Sequence, residues 1–374
     1  MSELPRGKLS PEEHEKIYSV IKAEFLANTE PQRRPVAIVT GGQPGSGKSG
    51  LTSEASAELS ARGGFVLADA DKLRGYHPMY AELQRQDDRT AANLTHADCG
   101  AWAGRLQRDA VLGMRNVIID QTSRDPAALE RLANGLHGNG YRVELRVMAV
   151  NEAVSEQRVL TRYESQKAVS GAGRFSTKDK HDEAYAGLVK TMEAVDAKRL
   201  VDAVRVYDKD LRRIHENQLQ GPGKEWAAAP GAAKALQDER SRPLTLQEKR
   251  ELADNYAALA EMIHRPSRKA TPEEKALIDQ KHGAAVNAAA AEMFRQRSAK
   301  ETVEAYPQTA GAYAFLEAVR QQNARLHGEQ YRAAVEESLR KQLATSIEKG
   351  GYPKVNVREI RQERSSGPEP GQER

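Results

Sequence analysis

One octapeptide carries the densest chemistry in the chain: Gly42-Gln43-Pro44-Gly45-Ser46-Gly47-Lys48-Ser49 fits the pattern G-x-x-x-x-G-K-[ST]. Glycines at these positions let the backbone wrap closely around a phosphate with its N–H groups aimed inward. Lys48 then supplies positive charge to the β- and γ-phosphates, and the Ser49 hydroxyl is the expected ligand of Mg²⁺. The competing reading is a glycine-rich turn that only joins a strand to a helix. The context favours a phosphate loop, since an apolar run at 36–40 precedes it and a helix-forming stretch follows from Lys48. The chain has no Asn-Lys-x-Asp guanine-reading motif, so ATP rather than GTP is the expected nucleotide.

Two acidic clusters follow apolar runs of their own. Asp69-Ala70-Asp71 ends a second candidate strand, at 65–68, and Asp120-Gln121-Thr122-Ser123-Arg124 ends a third, at 117–119. A carboxylate near a γ-phosphate can orient an acceptor hydroxyl and take its proton, and Asp71 is the candidate for that role. Asp69 either shares the role or caps the next helix. Asp120, Thr122 and Arg124 suit an acceptor, or in the case of Asp120 the Mg²⁺ shell, and a plain turn with an N-cap is the alternative. Migrating phosphoryl groups also need cations around them. Arg158 and Arg162 lie four apart on one predicted helix, and Arg174 sits in the glycine-containing stretch 170–176, which has the character of a lid.

These residues require elements that bring them together. Strands at 36–40, 65–68, 117–119, 141–150 and 203–207 alternate with helices, the pattern of a doubly wound parallel sheet whose ligands gather at the carboxyl ends of the strands. Ser10-Pro-Glu-Glu13 is a capping box that opens an N-terminal helix. Residues 218–242 are rich in Gly, Ala, Pro and charge, which reads as a linker. Beyond them, Thr245-Leu-Gln-Glu248 and Thr271-Pro-Glu-Glu274 are two further capping boxes on helical sequence. The expected organisation is a P-loop kinase-like α/β domain at 1–215, a linker at 216–243, a helical accessory region at 244–349, and a tail at 350–374 whose end lacks the apolar residues to fold.

The bulk composition narrows the function classes. With 57 basic and 53 acidic residues the formal charge is +4, too balanced for a nucleic-acid-binding surface. No stretch approaches the roughly 20 apolar residues that span a bilayer, so membrane insertion is not expected. The single Cys99 cannot form an internal disulfide, and residues 1–15 show no secretion signal. A cytoplasmic setting fits both.

At these motifs the sequence resembles the zeta toxin family, the kinase half of bacterial toxin–antitoxin modules, over residues 30–215. The run 41–49 is similar to that family's phosphate loop, and Asp69-Ala70-Asp71 with His77-Pro78 is similar to its Asp-x-Asp and His-Pro segment. The resemblance implies phosphorylation of UDP-N-acetylglucosamine with ATP and Mg²⁺, Asp71 as the catalytic base, and Arg162 and Arg174 as transition-state cations. It implies substrate contacts from Asp120, Thr122 and Arg124, disturbance of cell-wall synthesis, and an antitoxin partner. One departure concerns the acceptor. The family's substrate-contacting glutamate falls at Gly104, with Asp98 and Asp109 nearby on the same helix as candidate replacements. A nucleotide, dinucleotide or polynucleotide end as acceptor is the runner-up, and a nucleotide-switched interaction protein is the non-enzymatic alternative.

Overall fold

In a computed structural model, residues 7–323 and 328–354 are described, and the end of the predicted tail lies outside them. The chain divides into two compact units. The first holds residues 1–244 together with 255–276, and the second holds 245–254 together with 277–374.

The first unit opens with α1 (Pro11–Ala27), which starts at the predicted capping box: the Ser10 side chain accepts from the Glu13 N–H, and Glu13 reaches back to the Ser10 N–H. The elements that follow are β1 (Val36–Gly41), α2 (Lys48–Ser60), β2 (Val66–Ala68), α3 (Ala70–Leu73), α4 (Tyr80–Gln86), α5 (Ala91–Leu94), α6 (His96–Leu112) and β3 (Val117–Ile119). Next come α7 (Pro126–Gly138), β4 (Arg142–Met148), α8 (Glu152–Ser170), α9 (Lys178–Lys198), β5 (Ala203–Tyr207), β6 (Arg213–Gln220), β7 (Glu225–Trp226) and α10 (Ala232–Ser241). The strands form one sheet in the order β2-β3-β1-β4-β5-β6-β7. The first five are parallel, as the alternation of strand and helix requires, and β6 and β7 add antiparallel at one edge.

β1 is central and fully buried, and it explains the two-sided core. Ala37 and Val39 face a large cluster with Trp102, Leu106, Leu129, Leu188 and Leu236, whereas Val36 and Ile38 pack with Ala55 and Leu59 of α2. Successive side chains of a strand point to opposite faces, so one short apolar run serves both layers. Its carboxyl end is where the chain turns into the glycine loop.

The stretch read as a linker is folded. Residues 216–243 carry most of β6, all of β7 and α10, with Ala232 and Leu236 fully buried in the main core. α10 lacks a local side-chain cap, and Asp196 of α9 supplies one by accepting from the Ala232 and Ala233 N–H groups at 3.2 and 2.9 Å. Such a cap leaves no mark in the local sequence. β6 has polar residues on both faces, so it shows none of the alternation that marks a half-buried strand.

α11 (Leu246–His264) and α12 (Pro272–Gln296) begin at the two predicted capping boxes, with Thr245 accepting from the Glu248 N–H and Thr271 from the Glu274 N–H, both at 3.2 Å. The units divide at 244/245 and twice more inside these helices, so that 255–276 belongs to the first unit. The second unit continues with α13 (Ala299–Ala305), α14 (Ala310–Asn323) and α15 (Glu329–Glu348). Phe294, Leu316, Leu343 and Ile347 form its core with Ala290, Ala291, Ala312 and Ala344.

Candidate active site

The phosphate loop sits between β1 and α2, and its glycines are needed for specific reasons. Gly47 caps α2 with φ of 92°, a left-handed conformation that costs a side-chain-bearing residue strain. Gly45 has φ of 78°, and a Cβ there would lie 2.0 Å from the Ser155 carbonyl oxygen on α8. The loop is braced from behind. Gln43 Nε2 donates to the Val150 carbonyl and to Ser155 Oγ, both at 3.0 Å, while its Oε1 accepts from Arg240 Nη2 at 2.6 Å. Arg240 belongs to α10. It is almost fully buried, donates to the Tyr185 carbonyl at 2.7 Å, and lies 4.2 Å over the Tyr185 ring. Burial lowers its guanidinium pKa to about 10.

Lys48 Nζ donates to the Gly42 carbonyl at 2.8 Å and to that of Gln43 at 3.4 Å. Burial pushes its ammonium below the ordinary lysine value, and Asp120 opposes that shift. Ser46 Oγ is buried without a hydrogen-bond partner, an unfilled donor in the floor of the loop.

A cavity of about 540 Å³ opens in front of this loop. It is lined by loop residues including Lys48 and Ser49, by Asp69 and Asp71, by Asp120, Gln121 and Thr122, and by Arg158, Arg162 and Arg174. Asp69 is the N-cap of α3, its Oδ1 accepting from the Asp71 N–H at 2.8 Å, and burial raises its carboxyl pKa. Asp71 is left to face the cavity and pairs with two guanidinium groups, those of Arg74 and Arg174. Arg74 is buried on the turn just after α3. Arg162 donates to Ser176 Oγ at 3.2 Å, and its pKa is lowered by burial and by the neighbouring Arg174.

Asp120 Oδ1 accepts from Thr40 Oγ1 at 3.1 Å and Oδ2 from Thr52 Oγ1 at 3.3 Å, which orients the carboxylate beside the first turn of α2. The Thr122 carbonyl accepts from the Gly42 N–H at 3.2 Å. Arg124 lies outside the cavity lining, paired at 3.3 Å with Glu183 of α9. The two acids considered as replacements at the acceptor side are committed elsewhere. Asp98 accepts from the Leu9 N–H at 3.1 Å and lies 3.4 Å from His77 Nε2, and Asp109 takes Tyr18 Oη at 2.8 Å and Lys22 Nζ at 2.9 Å. Both hold the N-terminal segment against α6.

The sequence profile of the zeta toxin family matches residues 22–220. The chain belongs to the zeta toxin family. Toxin PezT of Streptococcus pneumoniae is 26% identical over 187 residues, covering 50% of this chain and 73% of that one. Toxin zeta of Enterococcus hirae is 26% identical over 196 residues, covering 52% and 68%. Among solved structures, one from the PezAT chromosomal toxin–antitoxin system of Streptococcus pneumoniae superposes with a TM-score of 0.59 at 22% identity, over 69% of this chain and all of that one. The first unit is thus a P-loop, kinase-like fold of a toxin family. Arg240 and residues 255–276 lie beyond the family match, and sequence reasoning assigned neither to the site. Arg74 stands within the match, three residues after Asp71. A one-turn spacing from a candidate base was the signal that could have found it.

Proposed function

We propose that the protein is an ATP-dependent kinase that transfers the γ-phosphoryl group to a hydroxyl of UDP-N-acetylglucosamine or a related nucleotide sugar. The observation that carries the reading is the facing of Asp71 and Lys48 across one cavity rimmed by Arg158, Arg162 and Arg174. ATP fits the loop: Ser46 Oγ has no partner, and Lys48 is held only by carbonyls that phosphate oxygens can replace. The acceptor hydroxyl oxygen attacks the γ-phosphorus, its proton passes to an Asp71 carboxylate oxygen, and the bond to the β-phosphate oxygen breaks to release ADP. Lys48, Arg162 and Arg174 stabilise the charge on the transferring group.

Mg²⁺ would be held by Ser49, with the oriented Asp120 carboxylate behind it, and would neutralise charge between the β- and γ-phosphates. Among the described residues no group of three or more His, Cys, Asp or Glu side chains forms a metal cage. Among those residues no helix is long and apolar enough to cross a membrane. We assign the enzyme to the cytoplasm, with an antitoxin as its partner, by analogy with the toxin–antitoxin setting of the relatives.

A different acceptor, such as a nucleotide, dinucleotide or polynucleotide end, is favoured by one observation. Gly104 offers no carboxylate at the family's acceptor position, and Asp98 and Asp109 are engaged by the N-terminal segment. Purified protein incubated with ATP, Mg²⁺ and a panel of nucleotide sugars, dinucleotides and polynucleotide ends, followed by mass spectrometry, separates the two readings. Phosphorylated UDP-N-acetylglucosamine is expected. Phosphorylation of another acceptor in its place selects the second reading, and no phosphorylated product from any acceptor refutes both.

A further inference from the structure

Within the first unit, the connection from α11 to α12 meets α8 and Arg89, which border the segment that carries Arg174. Arg268 donates from Nε and Nη2 to the two carboxylate oxygens of Glu164 on α8, at 2.6 and 3.0 Å, and from Nη2 to Glu274 at 3.2 Å. Both side chains of the Arg268–Glu164 pair are nearly buried. Glu274 also pairs with Arg89, whose guanidinium lies 5.3 Å over the Phe175 ring. Phe175 meets the edge of Tyr163, next to Glu164 in sequence, with ring centres 5.2 Å apart.

The same loop is tied from its other side. Asp88 accepts from the Gly173 N–H at 2.9 Å and from Tyr163 Oη at 3.1 Å, and Gln166 Oε1 accepts from the Arg174 N–H at 2.8 Å. A Cβ on Gly173 would lie 2.3 Å from the Tyr163 carbonyl oxygen, so the loop passes α8 with no room to spare. Arg174 is thereby flanked by two anchored residues, and its own guanidinium reaches Asp71.

We propose that residues 266–274 form a brace for the lid, in which Arg268 and Glu274 act as positioning residues that hold Arg174 at Asp71 through Glu164, Arg89 and Phe175. The brace rests on the reading of Arg174 as a cation acting on the transferring phosphoryl group. Isolated surface ion pairs contribute little, but this set shares members and is centred on a two-point Arg268–Glu164 contact nearly withdrawn from water, with the half-exposed Arg89 at its lid end. Removing Arg268 takes from Glu164 the guanidinium that offsets its buried charge. The segment lies beyond the residues that the family profile matches.

The test uses the full chain with Arg268→Gln, Arg268→Lys and Glu274→Gln, each alone and combined with Arg174→Ala. Turnover is read as ATP consumption with UDP-N-acetylglucosamine, or as acceptor-free ATP hydrolysis if that sugar is not phosphorylated. Nucleotide affinity is read with a fluorescent ATP analogue, and loop order by hydrogen–deuterium exchange of residues 168–177. Arg268→Gln is expected to lower kcat about tenfold or more, since small misplacements of a charged group are costly. It should leave the analogue's Kd within about twofold, and Arg268→Lys should recover part of the loss. Exchange should rise in 168–177 and stay unchanged in 36–60. In the Arg174→Ala background, Arg268→Gln should have almost no further effect on kcat.

Equal losses of kcat in both backgrounds, or unaltered exchange in 168–177, would overturn the brace. If Arg174→Ala alone leaves kcat unchanged, the reading of Arg174 fails, while the exchange data still decide whether the brace orders the loop. Should Arg268→Gln fail to fold, Glu274→Gln carries the same test, because it keeps an oxygen for the Thr271 N–H.

Discussion

Gly45→Ala separates the geometry of the phosphate loop from the general cost of losing a glycine. A left-handed backbone costs an alanine about 1–2 kcal/mol. At Gly45 a second cost is added, because the new Cβ would stand 2.0 Å from the Ser155 carbonyl oxygen where real contacts begin near 3.0 Å. The loop must retreat from α8 by about 1 Å, and since Ser155 is fixed by Asn151, Gln43 and His181 the helix cannot give way cheaply. A displacement of that size in the phosphate-binding N–H groups corresponds to roughly 10²-fold in binding or rate. Gly140→Ala is the matched control: its φ is also 78° and nothing lies within 4 Å of its Cβ position. Both variants should lose about 1 kcal/mol or more in urea unfolding, but only Gly45→Ala should lose affinity for a fluorescent ATP analogue. Affinity of Gly45→Ala within about threefold of the parent would refute the loop geometry and the phosphate site with it.

Lys48→Ala should abolish phosphoryl transfer while circular dichroism and thermal unfolding stay near those of the parent, because the residue bonds only to loop carbonyls. Asp71→Asn keeps the shape of the side chain but cannot take a proton. Turnover should fall roughly 10²-fold with ATP affinity retained, and a collapse of affinity alone would make Asp71 a structural partner of Arg74. Asp202 supplies a pH test. Burial alone would raise its pKa, but hydrogen bonds from His137 Nε2 at 2.8 Å and the Val143 N–H at 2.9 Å outweigh it and hold the carboxyl well below the usual range. A depressed folded pKa stabilises above the unfolded value near 3.9 and is lost as pH falls below it. Asp202→Asn should therefore flatten the acid limb of the stability curve below about pH 4, and an unchanged limb would assign that limb to other carboxylates. A chain ending at His215 should fail to bind ATP, because it lacks α10 with Leu236 and Arg240, whereas one ending at Leu244 should bind ATP but turn over slowly for want of residues 266–274. ATP binding by the shorter chain as tight as that of the full protein would show that α10 is dispensable.

The phosphate loop and the parallel sheet were legible because each follows from a local requirement. Glycine is needed where the backbone turns left-handed, and continuous apolar runs are needed where strands are covered on both faces. The three capping boxes were legible for the same reason, their partners standing three residues apart. What escaped were residues whose partners are distant in sequence. Arg240 meets Gln43 across 197 positions and Arg268 meets Glu164 across 104. A lone arginine in a polar stretch shows no periodicity, so neither could be told from a solvated charge. Asp98 and Asp109 show the converse: both face partners in the N-terminal segment that spacing along α6 could not reveal. Arg124 adds a third case, its place in a family motif not bringing it to the cavity.

The two guanidinium groups on Asp71 differ in a way that matters for the proposed transfer. Arg74 is buried on the turn that follows α3, so it fixes the carboxylate on its own element. Arg174 comes from a loop, and its side chain is 38% exposed. A cation on such a loop can exchange one anionic partner for another at little cost in desolvation, and the γ-phosphate is the stronger partner. In the proposed transfer, binding of ATP would draw Arg174 from Asp71 to the phosphate and leave an Asp71 oxygen free to accept the hydroxyl proton, while Arg74 would keep the carboxylate aimed. The Arg174–Asp71 pair is in this view the resting state of the site, and a loop too loosely held would lose both positions. That gives a physical reason for a lid tied down at Gly173 and Phe175 on either side of the one residue that must move.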